Sequence, residues 1–302
     1  MRAPNTIGGV LILTGPTCSG KTALAIEMAE RFDAEIVGAD SRQIYRGMPI
    51  GTATPSEAER ARVPHHLVAF LDPSQRYNAA RFAQDALAAI RLAASRGKRT
   101  IVCGGTGFYI RALAGDVELS AAHDNEVRVR LAREARLHPP EVMHEWLAAR
   151  EPARAAQLSV GDRYRVVRAL EITLAGERGG AANEPQPSLR AAGIPYVKVA
   201  LETDPTVLEE RIARRIDAML RDGFLEEAER IGSSAVAADA VGYPQALAYL
   251  AGRSTLAELR ASLVRVTRRY AKRQRTWLRS EPGARNVAPS DVPALLQSEL
   301  GW

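Results

Sequence analysis

The sequence predicts an α/β protein: a parallel sheet with crossover helices, interrupted once by a helical insertion. Two observations predict the sheet. Short apolar runs recur at Val10–Leu13, Ala34–Ala39, Leu67–Leu71, Thr100–Cys103 and Val197–Leu201, most of them running into glycine or aspartate. Between them, Ala23–Phe32 and Ala79–Ser95 carry apolar residues at helical spacing, as in Phe82, Ala86, Leu87 and Ile90, so strand and helix alternate as crossover units require. A third observation predicts the insertion. From about Asp116 to Gly193 the strand rhythm stops and the chain becomes rich in Arg, Glu and Ala, closing on a Gly/Pro stretch from Gly176 to Pro187. The expected organisation is a core of residues 1–115 and 194–302 and an insertion of residues 116–193. After the last run, long charged helices are expected at Pro205–Asp222 and Thr255–Arg279.

The 302 residues allow one large domain or a core carrying a smaller one. No apolar run approaches the roughly 20 residues of a membrane span, so no membrane helix is expected. The start, Met1-Arg-Ala-Pro-Asn, reaches only Val10–Leu13 before a Gly-Pro turn, which argues against a secretory signal and for the cytoplasm. Cys18 and Cys103 are too few for a disulfide framework and lack zinc-site spacing; both are expected to be reduced structural thiols. The net charge of +6 fits either a polyanionic partner or a plain basic protein, and the position of the charge must decide.

Behind the first strand lies Gly15-Pro16-Thr17-Cys18-Ser19-Gly20-Lys21-Thr22, a full match to the phosphate-loop pattern G-x-x-x-x-G-K-[ST] between a predicted strand and a predicted helix. The sheet is therefore expected to be of the P-loop NTPase-like kind. Glycines let the backbone curl so that N–H groups converge on phosphate oxygens; Lys21 adds a point charge and Thr22 a hydroxyl for Mg2+. Such a loop is nucleotide-binding in most proteins that carry one, ATP-binding above all, so a small-molecule or nucleotide kinase is the default rival.

The second strand ends at Asp40, where open parallel sheets bind ligands. Asp40 could cap the next turn or take a proton from a substrate. His65 and His66, adjacent at a strand start, point opposite ways and are expected to be structural. Asp72 closes Leu67–Leu71 and is expected to serve a turn, with metal contact as the alternative. Between Arg260 and Arg279 eight basic residues occur with no acid. On a helix, Leu259, Leu263, Val266, Tyr270 and Trp277 form the expected buried face, and Arg265, Arg268, Lys272, Arg275 and Arg279 line another, free to meet phosphates.

Together these residues resemble the tRNA dimethylallyltransferase (tRNA isopentenyltransferase) family. The resemblance rests on GPTCSGKTALA from Gly15, GADSRQIYRGMPIGTATP from Gly38, HHLVAFLDP from His65, GGTGFYIRAL from Gly104, RIARRIDAML from Arg211, VGYPQAL from Val241 and TRRYAKRQRTWLR from Thr267. It implies that the protein moves a dimethylallyl group from dimethylallyl diphosphate to the exocyclic amine (N6) of the adenosine 3′-adjacent to the anticodon in tRNA. By the same resemblance, residues 15–22 with Arg211 and Arg215 hold the diphosphate, and Asp40, Lys21 and Thr22 are catalytic. It likewise implies that Asp40, Ser41, Arg42, Gln43, Thr106, Arg128, Arg165, Arg168, Lys272, Arg273, Gln274, Arg275 and Arg279 meet the tRNA anticodon stem-loop. The chemistry asks for a base, because the adenine amine lone pair is delocalised into the ring. It also asks for cations at the departing diphosphate, where removing one such group typically costs about 2.7–4 kcal/mol of barrier. A monomer is expected. Two features depart from the family: Pro244 stands where a basic residue is usual and Ala240 where close relatives carry cysteine. Glu177–Ser188 also lacks the usual Thr-Gly-Lys-Pro pattern.

Overall fold

All five residues of Val10–Thr14 are buried, with no polar alternation, which is what a strand covered on both faces requires. The computed structural model describes residues 8–119, 124–177 and 186–302. In chain order the elements are β1 (Val10–Thr14), α1 (Lys21–Phe32), β2 (Ala34–Gly38), α2 (Pro49–Thr52), α3 (Glu57–Arg62), β3 (His65–His66), α4 (Ala79–Ser95), β4 (Arg99–Gly104), α5 (Gly107–Ala114), α6 (Asn125–Leu137), α7 (Pro140–Ala148), α8 (Pro152–Ala155), α9 (Arg163–Glu177), β5 (Tyr196–Leu201), α10 (Pro205–Arg221), α11 (Phe224–Ile231), α12 (Tyr243–Leu250), α13 (Leu256–Leu278), β6 (Ala284–Val287) and α14 (Val292–Leu300). The six strands form one parallel sheet in the order β3-β2-β4-β1-β5-β6. The turns after β1, β2 and β4 therefore share its carboxyl edge, where the chain reverses its direction of winding and ligands bind.

Leu11 and Leu13 share one apolar cluster with Leu24, Met28 and Phe32 of α1 and Val292 and Leu296 of α14. Each fully buried side chain of this size contributes about 1.5–3 kcal/mol. The helix α4 packs against β2 and β4 and buries Phe82, Ala86 and Ile90. A second cluster joins α10, α11, α12 and α13 to Ile44, Tyr45 and Met48. Among the described residues no helix is long and apolar enough to cross a membrane.

One expected strand needs correction, and one strand is unexpected. The run Leu67–Leu71 is not a strand: the strand is His65–His66, and Leu67 and Ala69 take left-handed φ values of 57° and 49°. The N–H groups of Ala69 and of Phe70 and Leu71 go to the carbonyls of Gln43 and Ile44 at 2.8 and 2.9 Å, so the run braces the loop after β2. The strand β6 escapes sequence reading, because its four residues include Arg285 and Asn286 and show no apolar run. His66 is bonded to buried Glu35 at 2.6 Å and His65 to the Val63 carbonyl at 2.7 Å, which are structural roles. Asp72 accepts from the Ser74 N–H at 2.9 Å, the turn role expected of it.

The chain divides into a unit of residues 1–117 and 187–302 and a unit of residues 118–186, so the insertion is shorter at both ends than 116–193. The reason lies in the flanks. Asp116 is bonded to buried Lys198 of β5, and the Leu189 N–H donates to the Leu113 carbonyl at 2.7 Å. Within the insertion, α6, α7, α8 and α9 enclose Val127, Leu131, Met143, Leu147 and Val166. Most of the divergent stretch Glu177–Ser188 lies outside the described residues, as does the extreme N-terminus.

Candidate active site

The phosphate loop turns sharply from β1 into α1 because Cys18 and Gly20 both adopt left-handed backbone, with φ of 62° and 94°. At Gly20 a side chain would be strained, so the glycine is required by the turn. The Ser19 N–H closes on the Pro16 carbonyl at 3.2 Å, and Lys21 Nζ donates to the same oxygen at 2.7 Å. Loss of hydration, with a smaller contribution from Arg215, lowers the Lys21 pKa, while Asp40 opposes the shift. The ammonium is thus poorly compensated and suited to a polyanion.

Arg211 and Arg215, one turn apart on α10, reach the loop from the side. Arg215 donates to Thr17 Oγ1 at 2.9 Å and to the Gly51 carbonyl at 3.1 Å, while Arg211 donates to the Ser19 carbonyl at 3.3 Å. Asp40 does cap its turn: Oδ1 accepts the N–H groups of Arg42 and Gln43 at 2.8 and 3.4 Å. No hydrogen bond to its Oδ2 is present among the described residues. The Thr106 hydroxyl accepts the Ser41 N–H at 2.9 Å and ties the turn after β4 to the turn after β2.

A cavity of about 830 Å³ gathers these residues. Thr17, Cys18, Gly20, Lys21, Thr22, Asp40, Ser41, Arg42, Gln43, Arg211, Arg215, Arg273 and Gln274 all line it. The lining holds five basic side chains against the acids Asp40, Glu59 and Asp239, so its sign favours an anion. Leu263, Ile216, Met219 and Val241 add apolar wall beside the charged end. Gly15, Pro16, Ser19 and Thr106 are not among the lining residues. Both cysteines are free thiols as expected: Cys18 packs against the apolar cluster of α10–α13 while also lining the cavity, and burial pushes the Cys103 thiol up to about 11. Thr22, at the first turn of α1, offers a hydroxyl beside Lys21; among the described residues no three His, Cys, Asp or Glu side chains gather to hold a metal.

The basic helix differs from expectation in detail. Thr267, Ala271 and Gln274 are buried with Leu259 and Leu263, whereas Val266, Tyr270 and Trp277 are half-buried. Gln274, expected at the RNA, is spent on backbone: Oε1 accepts the Thr17 N–H at 2.7 Å and Nε2 donates to the Gly105 carbonyl at 3.1 Å. Acids missing from the helix come from α10: Arg260 pairs with Asp217 at 2.6 Å and Arg268 with Glu209 at 2.8 Å. Lys272, Arg273 and Arg279 stay exposed and Arg275 half-buried.

In the insertion, Arg165 pairs with Asp162 at 2.8 Å, Arg168 with Glu171 at 2.6 Å and Arg128 with the same Glu171 at 4.0 Å. These three arginines are thus held by local acids. Sequence reasoning misses three site residues: Asp239, which pairs with Arg42 at 2.6 Å across the cavity lining; Gly51, whose carbonyl holds Arg215; and Glu227, which holds Gly51. No spacing signal marks any of them, since each acts from a different element. Pro244 sits in the first turn of α12, a position that needs no N–H donor, so its presence there is explained locally.

Comparison with known proteins gives one answer. The family model described as IPP transferase matches residues 43–281. A tRNA dimethylallyltransferase of Geobacter sulfurreducens is 42% identical over 92% of this chain and 91% of its own. One from Xanthomonas campestris pv. campestris is 44% identical over 97% and 93%. Among solved structures, the full-length tRNA isopentenylpyrophosphate transferase of Bacillus halodurans superposes with a TM-score of 0.70 at 30% identity, covering 97% of both chains. A eukaryotic dimethylallyltransferase acting on tRNA gives a TM-score of 0.75 at 25% identity, over 97% of this chain and 77% of that one.

Proposed function

The chain belongs to the IPP transferase family, and from that membership and the cavity we propose that it transfers a dimethylallyl group from dimethylallyl diphosphate to N6 of the adenosine 3′-adjacent to the anticodon in tRNA, releasing diphosphate. The observation that carries the reading is the joining of an anion cradle, an apolar wall and the Asp40 carboxylate in a single cavity. A prenyl diphosphate has both a charged and an apolar end, and the reaction needs one base.

In this reading the diphosphate lies on the loop N–H groups, where Lys21 keeps the Pro16 carbonyl and gives its other N–H donors to a phosphate oxygen, and Arg211 and Arg215 meet the growing negative charge. Asp40 Oδ2 takes the amine proton as the new C–N bond forms and the allylic C–O bond breaks. Mg2+ fits the Thr22 hydroxyl, because this ion keeps several waters and takes its other oxygens from substrate phosphates. Its contribution is to neutralise charge on the leaving group. The exposed Lys272, Arg273 and Arg279 supply phosphate contacts for the anticodon stem-loop, and the target base leaves its stack to reach the cavity. The same reading has the chain working in the cytoplasm as a monomer, and ATP competing for the loop through its phosphates.

The test is to incubate the protein with dimethylallyl diphosphate, Mg2+ and an anticodon stem-loop carrying A in the 3′-flanking position, and to weigh the RNA. A gain of one dimethylallyl group in place of one hydrogen is expected. RNA of unchanged mass after complete binding contradicts the proposal, and phosphoryl transfer from ATP to a small alcohol would replace it with the kinase reading.

A further inference from the structure

Gln274 reaches the cavity lining from α13. It is 7% exposed, and both its oxygen and its nitrogen bond backbone partners from different turns. The geometry allows one orientation of that amide: an N–H at Thr17 must meet the oxygen, and a carbonyl at Gly105 must meet the nitrogen. The Thr17 N–H and the Pro16 carbonyl belong to one planar peptide unit. That unit is held by Gln274 on its N–H side at 2.7 Å, and its carbonyl receives Lys21 Nζ at 2.7 Å and the Ser19 N–H at 3.2 Å. Rotating the peptide away from Gln274 would carry away the acceptor on which Lys21 rests.

The helix is also keyed into the turn after β4. A Cβ at Gly105 would lie 2.4 Å from Gln274 Nε2, and one at Gly107 would lie 2.1 Å from the Trp277 ring. The glycines therefore let α13 approach the backbone closely enough for the amide to bridge both turns. The neighbours of Gln274 in sequence, Arg273 and Arg275, belong to the basic surface.

We propose that Gln274 is a positioning residue for Lys21: acting through the Pro16–Thr17 peptide, it fixes the diphosphate cradle from the helix that carries the RNA-facing charges. The inference rests on the prenyl-transfer reading of the cavity. It assigns Gln274 to the donor side of the reaction, although the residue lies within a basic RNA-facing segment.

The experiment measures two affinities, for inorganic pyrophosphate with Mg2+ and for the anticodon stem-loop, together with steady-state transfer and thermal unfolding. Two variants attack the same bond from opposite sides. Gln274→Met removes the amide at nearly constant volume, and Gly105→Ala pushes it away with residue 274 intact. Each is expected to weaken pyrophosphate binding about tenfold, the scale of one lost hydrogen bond. Each should raise KM for the prenyl donor in proportion, while RNA affinity and kcat stay within about twofold. Pyrophosphate affinity unchanged in both variants overturns the proposal. So does a parallel loss of RNA affinity and thermal stability, which would make Gln274 a packing residue. Wild-type protein that binds RNA but no pyrophosphate overturns this inference and the donor reading together, whereas unchanged variants in a wild type that prenylates RNA overturn this inference alone.

Discussion

Glu227 accepts the Gly51 N–H at 2.7 Å, and the carbonyl of the same glycine accepts Arg215 at 3.1 Å. A carboxylate on α11 thus sets the aim of a guanidinium at the phosphate loop without touching the cavity. Glu227 is 1% exposed and also receives the Ile50 N–H at 2.9 Å and the Tyr243 hydroxyl at 2.6 Å. Glu227→Ala would strand those donors in the interior and is expected to cost about 3 kcal/mol or more of stability, against about 1 kcal/mol for Tyr243→Phe. Urea denaturation checks the ranking; equal losses would show that the two backbone bonds contribute little.

Asp40→Asn keeps an oxygen for the Arg42 and Gln43 N–H groups, so the turn should hold its shape and the RNA its affinity. The amide cannot accept the amine proton, and turnover is expected to fall about a hundredfold or more. Single-turnover transfer on pre-bound stem-loop is the measurement, and near-normal rates would remove Asp40 from the role of base.

Reversing charge at Lys272 and Arg275 should weaken RNA binding and flatten its salt dependence, by about 0.7 in the log–log slope for each phosphate that is no longer neutralised. Arg260→Glu is the control, since that arginine is already occupied by Asp217. Equal effects from the control and the test pair would place the RNA elsewhere.

Burial pushes the Glu35 carboxyl up, but hydrogen bonds from Arg96 and His66 outweigh it and the net shift is downward. A folded value below the roughly 4.3 of a free glutamate means that its stabilisation is complete above that pH and is lost as pH falls through the folded value. Glu35→Gln should therefore flatten the acid limb of the stability curve measured by denaturant midpoints. A limb as steep as that of the wild type would assign acid sensitivity to other carboxylates.

The features legible in the sequence are those set by local rules. The helix Ala79–Ser95 follows its apolar spacing and α13 its capping box at Thr255 and Glu258, and the phosphate loop is fixed by glycine and lysine at set offsets. The features that are not legible depend on tertiary partners. Leu67–Leu71 has the composition of a strand, yet its N–H groups pair with the loop at Gln43 and Ile44. Gln274 sits in a basic run and reads as an RNA contact, but the facing Thr17 and Gly105 backbone draws it inward. The expected buried face of α13 includes only apolar side chains, so it misses Thr267 and Gln274.

In the proposed reaction the Lys21 loop grips the diphosphate of an isoprenoid while RNA occupies the basic helix. Titrating a non-reactive thiolo analogue of dimethylallyl diphosphate with Mg2+ into the preformed protein–stem-loop complex tests it most directly, for the wild type and for Lys21→Met. Saturable binding is expected in the wild type and its loss in the variant, with the RNA still bound. Equal affinity for the analogue in both proteins would contradict it.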